Sequence, residues 1–274
     1  MTRRPSIHEN FIEYLEGSLP IIISAPHGGV IAPEEIVSRT TGVFDRDDYT
    51  KELTLQIVEE FFKQTNCYPH TIMMDLCRTK VDANREEKEA VSEDEQSLKA
   101  YRSFHTYIQD SINKVERKYQ KGLYLDIHGQ SHPHKAIEFG YLLTNDILKL
   151  ENDKLSAYAK TSSIATISDF SDYSFIEQLK GEFSLGTLMS KEGFASVPSK
   201  DMPYTSKDDE YFEGAYNTKT YASTNGSSVS SIQIEFPYYC RQSKENRKDT
   251  AKALVLAILE FMKIHFNLDL KKVD

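Results

Sequence analysis

Leu123-Tyr124-Leu125-Asp126-Ile127-His128-Gly129 is the stretch on which the fold of this chain turns. Its apolar start reads as a buried strand. Side chains alternate between the two faces of a strand, so Asp126 and His128 leave on one face and Leu125 and Ile127 on the other. A carboxylate and an imidazole therefore emerge side by side at a strand end. Two other stretches repeat the arrangement. Ile21-Ile22-Ile23-Ser24-Ala25-Pro26 delivers His27 into the turn Gly28-Gly29, and Ser231-Ile232-Gln233-Ile234-Glu235-Phe236 places Gln233 and Glu235 on one face. Strand ends bearing His, Asp-x-His and Gln-x-Glu are the raw material of a metal hydrolase site.

Working outward, strand-like runs are expected over Leu19–Ala25, His70–Leu76, Gly122–His128, Glu138–Leu143 and Val229–Phe236. Helical patterns lie between and after them. Asp48 to Gln64 puts Leu55, Val58 and Phe62 on one face. Glu93 to Lys118 repeats Leu98, Tyr101, His105, Ile108, Ile112 and Val115 at spacings of three and four, and Ala251 to Phe266 closes the chain. Alternating elements with near-continuous apolar strands predict an α/β fold: a mainly parallel or mixed central sheet flanked by helices. No repeat and no Pro- or Ser-rich linker divides the chain, so residues 1–274 are expected to form one domain. Asn225-Gly226, within the Ser-rich stretch Ser223–Ser231, reads as a tight turn. In open α/β sheets ligands bind beyond the carboxyl ends of the strands. His27, His128 and Glu235 all fall there.

Composition narrows the partners. A net charge of −9 on 274 residues argues against nucleic acid and against an anionic membrane, because both select a basic surface. A small acidic substrate remains compatible, since a few local arginines outweigh distant acidic groups. The cysteines Cys67, Cys77 and Cys240 show no ligand spacing and suit a reducing compartment. Leu19–Ile23 is too short for a signal-peptide core, and Ala253–Leu259 is too short to span a bilayer. A cytoplasmic protein is expected.

Catalytic zinc is commonly held by three His or carboxylate ligands, with a fourth position for water. His27 and His128 are the best imidazole candidates. A carboxypeptidase-type pattern would place Glu three residues after His27, but Val30 stands there. Asp47 is the chosen third ligand, with a helix N-cap as the alternative role for Asp47 or Asp48. Asp126 either orients an imidazole or ligates the metal itself. Glu235 is the candidate general base, against a structural salt bridge. Arg85, after Asn84, is suited to a substrate carboxylate or a developing oxyanion, and Arg78 is a second candidate. A surface ion pair is the plainer role for either arginine. His132, in the loop after Gly129, could contact substrate. His105 reads as a core histidine. Tyr204, Tyr211, Tyr216 and Tyr221 cluster in a segment that could cover a site or merely pack. No Gly-x-Ser-x-Gly elbow or phosphate-binding glycine loop is present.

Taken together, Pro26-His27-Gly28-Gly29, Asp47, Asn84-Arg85, Asp126-Ile127-His128-Gly129 and Gln233-Ile234-Glu235 resemble the N-formylglutamate amidohydrolase family in order and approximate spacing. Phe212-Glu213-Gly214-Ala215-Tyr216-Asn217 is similar to an aromatic-Gly-Tyr element of that family. The chain departs from the family at Gly28, Glu86 and Gly129, where Ser or Thr, Pro and Ser are usual. The resemblance implies a zinc-carboxypeptidase-like (phosphorylase/hydrolase-like) fold and one divalent metal ion, Zn2+, on His27 and His128, with Asp47 the weakest transfer. It also implies Glu235 as base, with Arg85 and its neighbours Asn84, Arg78, Gln233, Tyr216 and His132 around the substrate. The implied reaction is hydrolysis of an acidic N-acyl amino acid such as N-formyl-L-glutamate. A zinc carboxypeptidase-like enzyme acting on short peptides and a non-catalytic binding protein are the rival readings.

Overall fold

In the computed structural model, which describes residues 6–206 and 209–272, the strands form one mixed sheet. In chain order they are β1 (Ile7–Glu9), β2 (Ile12–Leu15), β3 (Ile21–Ala25), β4 (His70–Met74), β5 (Gly122–Gln130), β6 (Ile137–Gly140), β7 (Ser196–Val197) and β8 (Val229–Pro237). The order across the sheet is β1-β2-β4-β3-β5-β8-β6-β7. The central strands β4, β3, β5 and β8 run parallel, while β2 and β6 pair antiparallel on either side of them. This is the α/β sheet flanked by helices that the strand pattern predicts.

Period-two alternation divides each central strand between two cores. Ile21, Ile23, Leu125, Ile127, Ile232 and Ile234 pack with Leu53, Ile57 and Phe61 of the helix Thr50–Thr65 and with Leu254 and Ile258 of the helix Lys244–Phe266. Ile22, Ile72 and Tyr124 face the opposite way, onto Tyr101, Phe104, Ile108, Ile112 and Val115 of the helix Glu95–Tyr119. Each such large apolar side chain contributes about 1.5–3 kcal/mol when buried. Tertiary burial of this stripe, more than intrinsic propensity, holds the helix. Its start is fixed by the Asp94 carboxylate, which accepts the Ser97 N–H at 2.8 Å as an N-cap. It stops where Gln120 turns left-handed, at φ 59°.

Two regions depart from expectation. The β1–β2 hairpin was not predicted. Its pairing of Glu9 with Ile12 leaves a two-residue turn, Asn10-Phe11, with φ 50° and 62°. This is a type I′ geometry, in which Phe replaces the usual Gly. The expected strand Glu138–Leu143 is the shorter β6, after which Leu142 turns to φ 61°. Between β6 and β8 the chain forms short helices, including Phe175–Lys180 and Leu185–Lys191, which cover one face of the sheet. Among the described residues no helix is long and apolar enough to cross a membrane.

Candidate metal centre

Register assembles the site. In the parallel ladders Ser24 lies opposite Asp126, Asp126 opposite Gln233, and His128 opposite Glu235. Because the apolar members of these strands face the other core, the polar members form one row, which runs to the carboxyl end of the sheet. His27 joins it from the turn after β3. Gly28 is required there: a Cβ on it would lie 2.6 Å from the Lys51 nitrogen and 2.7 Å from the Thr50 hydroxyl, so the turn rests directly on the helix Thr50–Thr65.

Asp47 precedes that helix but does not cap it with its side chain. Tyr49 holds the N-cap position at φ 65° with no side-chain bond, and only the Asp47 carbonyl serves the helix, accepting the Thr50 N–H at 3.2 Å. The carboxylate is thereby left for the site. Its Oδ2 lies 3.5 Å from His27 Nδ1 and 3.2 Å from His128 Nδ1, and accepts the Gly129 N–H at 3.2 Å. The two imidazoles, about a hundred positions apart in sequence, meet with ring centroids 4.9 Å apart.

The far nitrogens explain the near ones. His27 Nε2 is 2.6 Å from Asp82 Oδ1, and His128 Nε2 is 2.8 Å from Asp126 Oδ2, both carboxylates being fully buried. Asp126 is itself held by the hydroxyls of Ser24 and Tyr124. A proton on each Nε2, donated to a carboxylate, turns the lone pair of each Nδ1 inward. His27 Nδ1 is buried without a hydrogen-bond partner, so the 3.5 Å approach to Asp47 is proximity and not a bond. That orphaned atom and His128 Nδ1 both approach Asp47 Oδ2, and His27, Asp47 and His128 each offer a ligand atom within 4.8 Å of the others. Two ligands at about 2.0–2.1 Å from a tetrahedral zinc stand roughly 3.3 Å apart. The spacings of 3.2 and 3.5 Å match that figure, and two imidazoles with one carboxylate are ordinary zinc donors. The residues fit a zinc ion, with the carboxylate–histidine–metal relay that orients such ligands.

Electrostatics agree. Burial works against ionisation of Asp47, but the hydrogen bond with His128 and the closeness of both imidazoles hold its carboxyl well below the usual range. Asp82 is likewise held low against burial, by His27 and Arg78. Burial would lower His128, yet Asp126 and Asp47 raise it well above an ordinary histidine. A proton here occupies the place where anionic side chains concentrate negative potential. Glu235 behaves differently. Burial, helped by Asp47, Glu138 and Asp126 and opposed by His128, pushes its carboxyl up to about 8. Its Oε1 accepts from Gln233 Nε2 at 3.0 Å.

These groups open into a cavity of about 220 Å³ lined by His27, Asp47, His128, Gln233 and Glu235 together with Arg78, Asn84, Arg85, Val43, Phe212 and Ala215. Asn84 accepts the Asn217 N–H at 2.8 Å, which turns its amide toward His128. Arg78 donates its Nε to Asp82 at 3.0 Å and an Nη to the Asp45 carbonyl at 3.3 Å. Arg85 is freer: its side chain is 38% exposed, and its nearest carboxylate, Asp82, is 3.9 Å from Nε.

The remaining candidates lie outside this cavity's lining. The Tyr216 ring packs against His105 at 5.7 Å. His132 is bound through Nδ1 to Glu138 at 2.6 Å, lies 3.1 Å from Glu210 through Nε2, and stacks on Phe212 at 4.7 Å. His132, His134 and Glu138 form a second cluster of metal-ligand types. His134 cannot serve there in this geometry. Its Nδ1 accepts the Ala136 N–H at 3.1 Å, so the ring proton sits on Nε2, the atom that would have to bind.

Asp82 and Arg241 were not anticipated from sequence. Arg241 is 3% exposed and donates to the carbonyls of Phe236, Gln130 and Asp48, tying together the ends of β8 and β5 and the Asp47 loop. Its guanidinium also accounts for Gly129: a Cβ there would lie 2.5 Å from Arg241 Cζ. The signal available for Asp82 was its position two residues before Asn84-Arg85. Arg241 had no local signal.

No family model matches the chain, and no curated protein matches it in sequence. Solved structures do match in fold. An N-formylglutamate amidohydrolase from Ralstonia eutropha JMP134 superposes with a TM-score of 0.58 at 10% identity, over 95% of this chain and 100% of that one. A gene product from Agrobacterium tumefaciens superposes with a TM-score of 0.51 at 12% identity, over 92% of this chain and 95% of that one. The fold is therefore shared with an amidohydrolase of the family that the sequence motifs resemble.

Proposed function

We propose that this protein is a metal-dependent amidohydrolase that holds zinc on His27, Asp47 and His128 and cleaves the amide of an N-acyl amino acid. One observation carries the reading. Two imidazole Nδ1 atoms lie 3.5 and 3.2 Å from one oxygen of the Asp47 carboxylate, and each imidazole is backed by a buried carboxylate. When bound, zinc lowers the pKa of a coordinated water to about 7 and polarises a carbonyl.

The chain's own groups supply the rest. Glu235 stands beside His128 on the neighbouring strand, placed to take a proton from the attacking water and pass it to the departing amine. Gln233 fixes the rotation of that carboxyl by donating to Oε1. A carboxyl pushed up to about 8 by burial and by anionic neighbours is drawn down again by a nearby cation, into the range where protons exchange near neutral pH. Arg85 presents an uncommitted guanidinium to the substrate carboxylate, anchored from behind by Tyr101, whose hydroxyl donates to the Arg85 carbonyl at 2.9 Å. The fold shared with a formylglutamate hydrolase and the motif resemblance support a formyl or similarly small acyl group.

The test is hydrolysis of a panel of N-formyl and N-acetyl amino acids by protein stripped with a chelator and then reloaded with zinc. Amine release that disappears on stripping and returns with zinc is expected. Release of residues from short peptides, with no action on the panel, would replace this reading with a carboxypeptidase-like one.

A further inference from the structure

The wall composition of the cavity identifies its substrate more narrowly, given the amidohydrolase reading on which this step rests. We propose that the site selects N-acyl amino acids with a single carboxylate and an apolar side chain, in preference to dicarboxylates such as N-formylglutamate.

A dicarboxylate needs two cationic partners. Arg78 and Arg85 are the guanidinium groups lining the cavity among the described residues. Arg78 is committed: it is 9% exposed, its Nε is bound to Asp82, one Nη is bound to the Asp45 carbonyl, and it stands 3.7 Å from Asp47. Arg39 sits behind it and is consumed by the carbonyls of Glu89, Val43, Arg78 and Thr41. Arg46, near the same loop, is paired with Asp48. Arg85 remains for one carboxylate. A second would find no uncommitted guanidinium among those that line the cavity.

The apolar residues of the lining point the same way. Val43 is 44% exposed and Phe212 is 43% exposed, although both line the cavity. The His132 ring backs Phe212 by stacking at 4.7 Å. Phe212 is fixed further where Glu138 accepts its backbone N–H at 2.7 Å. Val43 is pinned through its carbonyl, which accepts from Arg39 at 3.0 Å. Exposed apolar groups that line a site and are held in place by their neighbours are covered at low entropic cost by an aliphatic side chain of the substrate. Each methylene well placed on such a surface discriminates roughly 10- to 200-fold.

The experiment compares N-formyl-L-leucine with N-formyl-L-glutamate in two ways. Wild-type protein loaded with zinc is assayed for kcat/KM on each. Zinc-loaded Glu235→Gln is titrated calorimetrically with each, so that binding is read without turnover. At least a tenfold preference for the leucine compound is expected in both. A Val43→Lys variant, which adds a cation to the lining of the cavity, should move the ratio at least tenfold toward glutamate. Equal or better use of the glutamate compound by wild-type protein overturns the proposal while leaving the amidohydrolase reading intact. If neither compound is hydrolysed, the amidohydrolase reading fails, and the binding ratio still decides: tighter leucine binding upholds the selectivity, whereas tighter glutamate binding or no binding of either overturns it.

Discussion

Replacing Asp82 by Asn tests whether the metal centre depends on its buried anions. The carboxylate is fully buried, takes the His27 Nε2 proton at 2.6 Å, accepts the Asn84 N–H at 3.1 Å and pairs with Arg78 at 3.0 Å. Asn keeps the shape and one acceptor oxygen but removes the charge. His27 is then a weaker donor, and its tautomer is less firmly fixed. Loss of such an orienting partner costs about 10- to 100-fold in metal affinity, which is about 1.4–2.8 kcal/mol. Removing one partner of a buried ion pair also costs about 3–5 kcal/mol of fold stability when the other charge is left unpaired. Arg78 keeps the Asp45 carbonyl and the nearby Asp47, so the lower end of that range is expected. The assay is competition for zinc against a chromophoric chelator, run beside urea denaturation of the metal-free protein. Zinc affinity within threefold of wild type, in a variant that remains folded, would refute the relay from Asp82 through His27. A loss of stability alone would make Asp82 a purely structural anion.

Four further outcomes follow from the same geometry. Glu235→Gln should keep stoichiometric zinc and lose about 10²–10⁴-fold in turnover, as removal of a general base does; undiminished kcat would end that assignment. Arg85→Ala should lower kcat/KM by about 10- to 150-fold, the worth of a hydrogen bond to a charged group, with little change in melting temperature because its side chain is 38% exposed. Gly129→Ala forces a Cβ to within 2.5 Å of Arg241 and should destabilise the fold by about 1–3 kcal/mol in urea denaturation. Burial, with Lys114 nearby, depresses His70 to about 4, and its Nδ1 accepts the Gly17 N–H as a neutral ring. Because the unfolded chain takes up this proton near pH 6.5 and the folded one only near 4, stability should hold above about 6.5 and fall by up to about 3 kcal/mol as pH drops to 4. His70→Asn should flatten that fall in denaturation curves at pH 7 and pH 4.5, and an unchanged pH dependence would contradict it.

Sequence patterns reach those parts of the site that lie on regular strands. Period-two alternation decides where Asp126, His128, Gln233 and Glu235 point once the strands are identified, and the parallel register then brings them together. Asp47 was harder to read, because a carboxylate just before a helix has a second plausible role as a cap. The choice is made by Tyr49, whose left-handed backbone starts the helix without a side-chain bond. Asp82 and Arg241 act through contacts 55 and 111–193 positions away in sequence. No local periodicity encodes such contacts. The β1–β2 hairpin carries no such sequence signal for a different reason: Phe11 occupies a position with φ 62° where Gly is usual. His132 shows the reverse difficulty. Its place in a loop after the site suggested substrate contact, yet in the fold it is bound to Glu138 and supports Phe212 from behind.

Zinc stoichiometry in ligand variants tests the account at its centre. Metal-free protein is titrated with zinc, freed of excess ion by gel filtration and analysed for metal per chain. One tightly held equivalent is predicted for the wild type, with its loss in His27→Ala, Asp47→Ala and His128→Ala variants that remain folded by circular dichroism. A full equivalent retained in the His27→Ala, His128→Ala double variant would place the metal elsewhere and contradict the account.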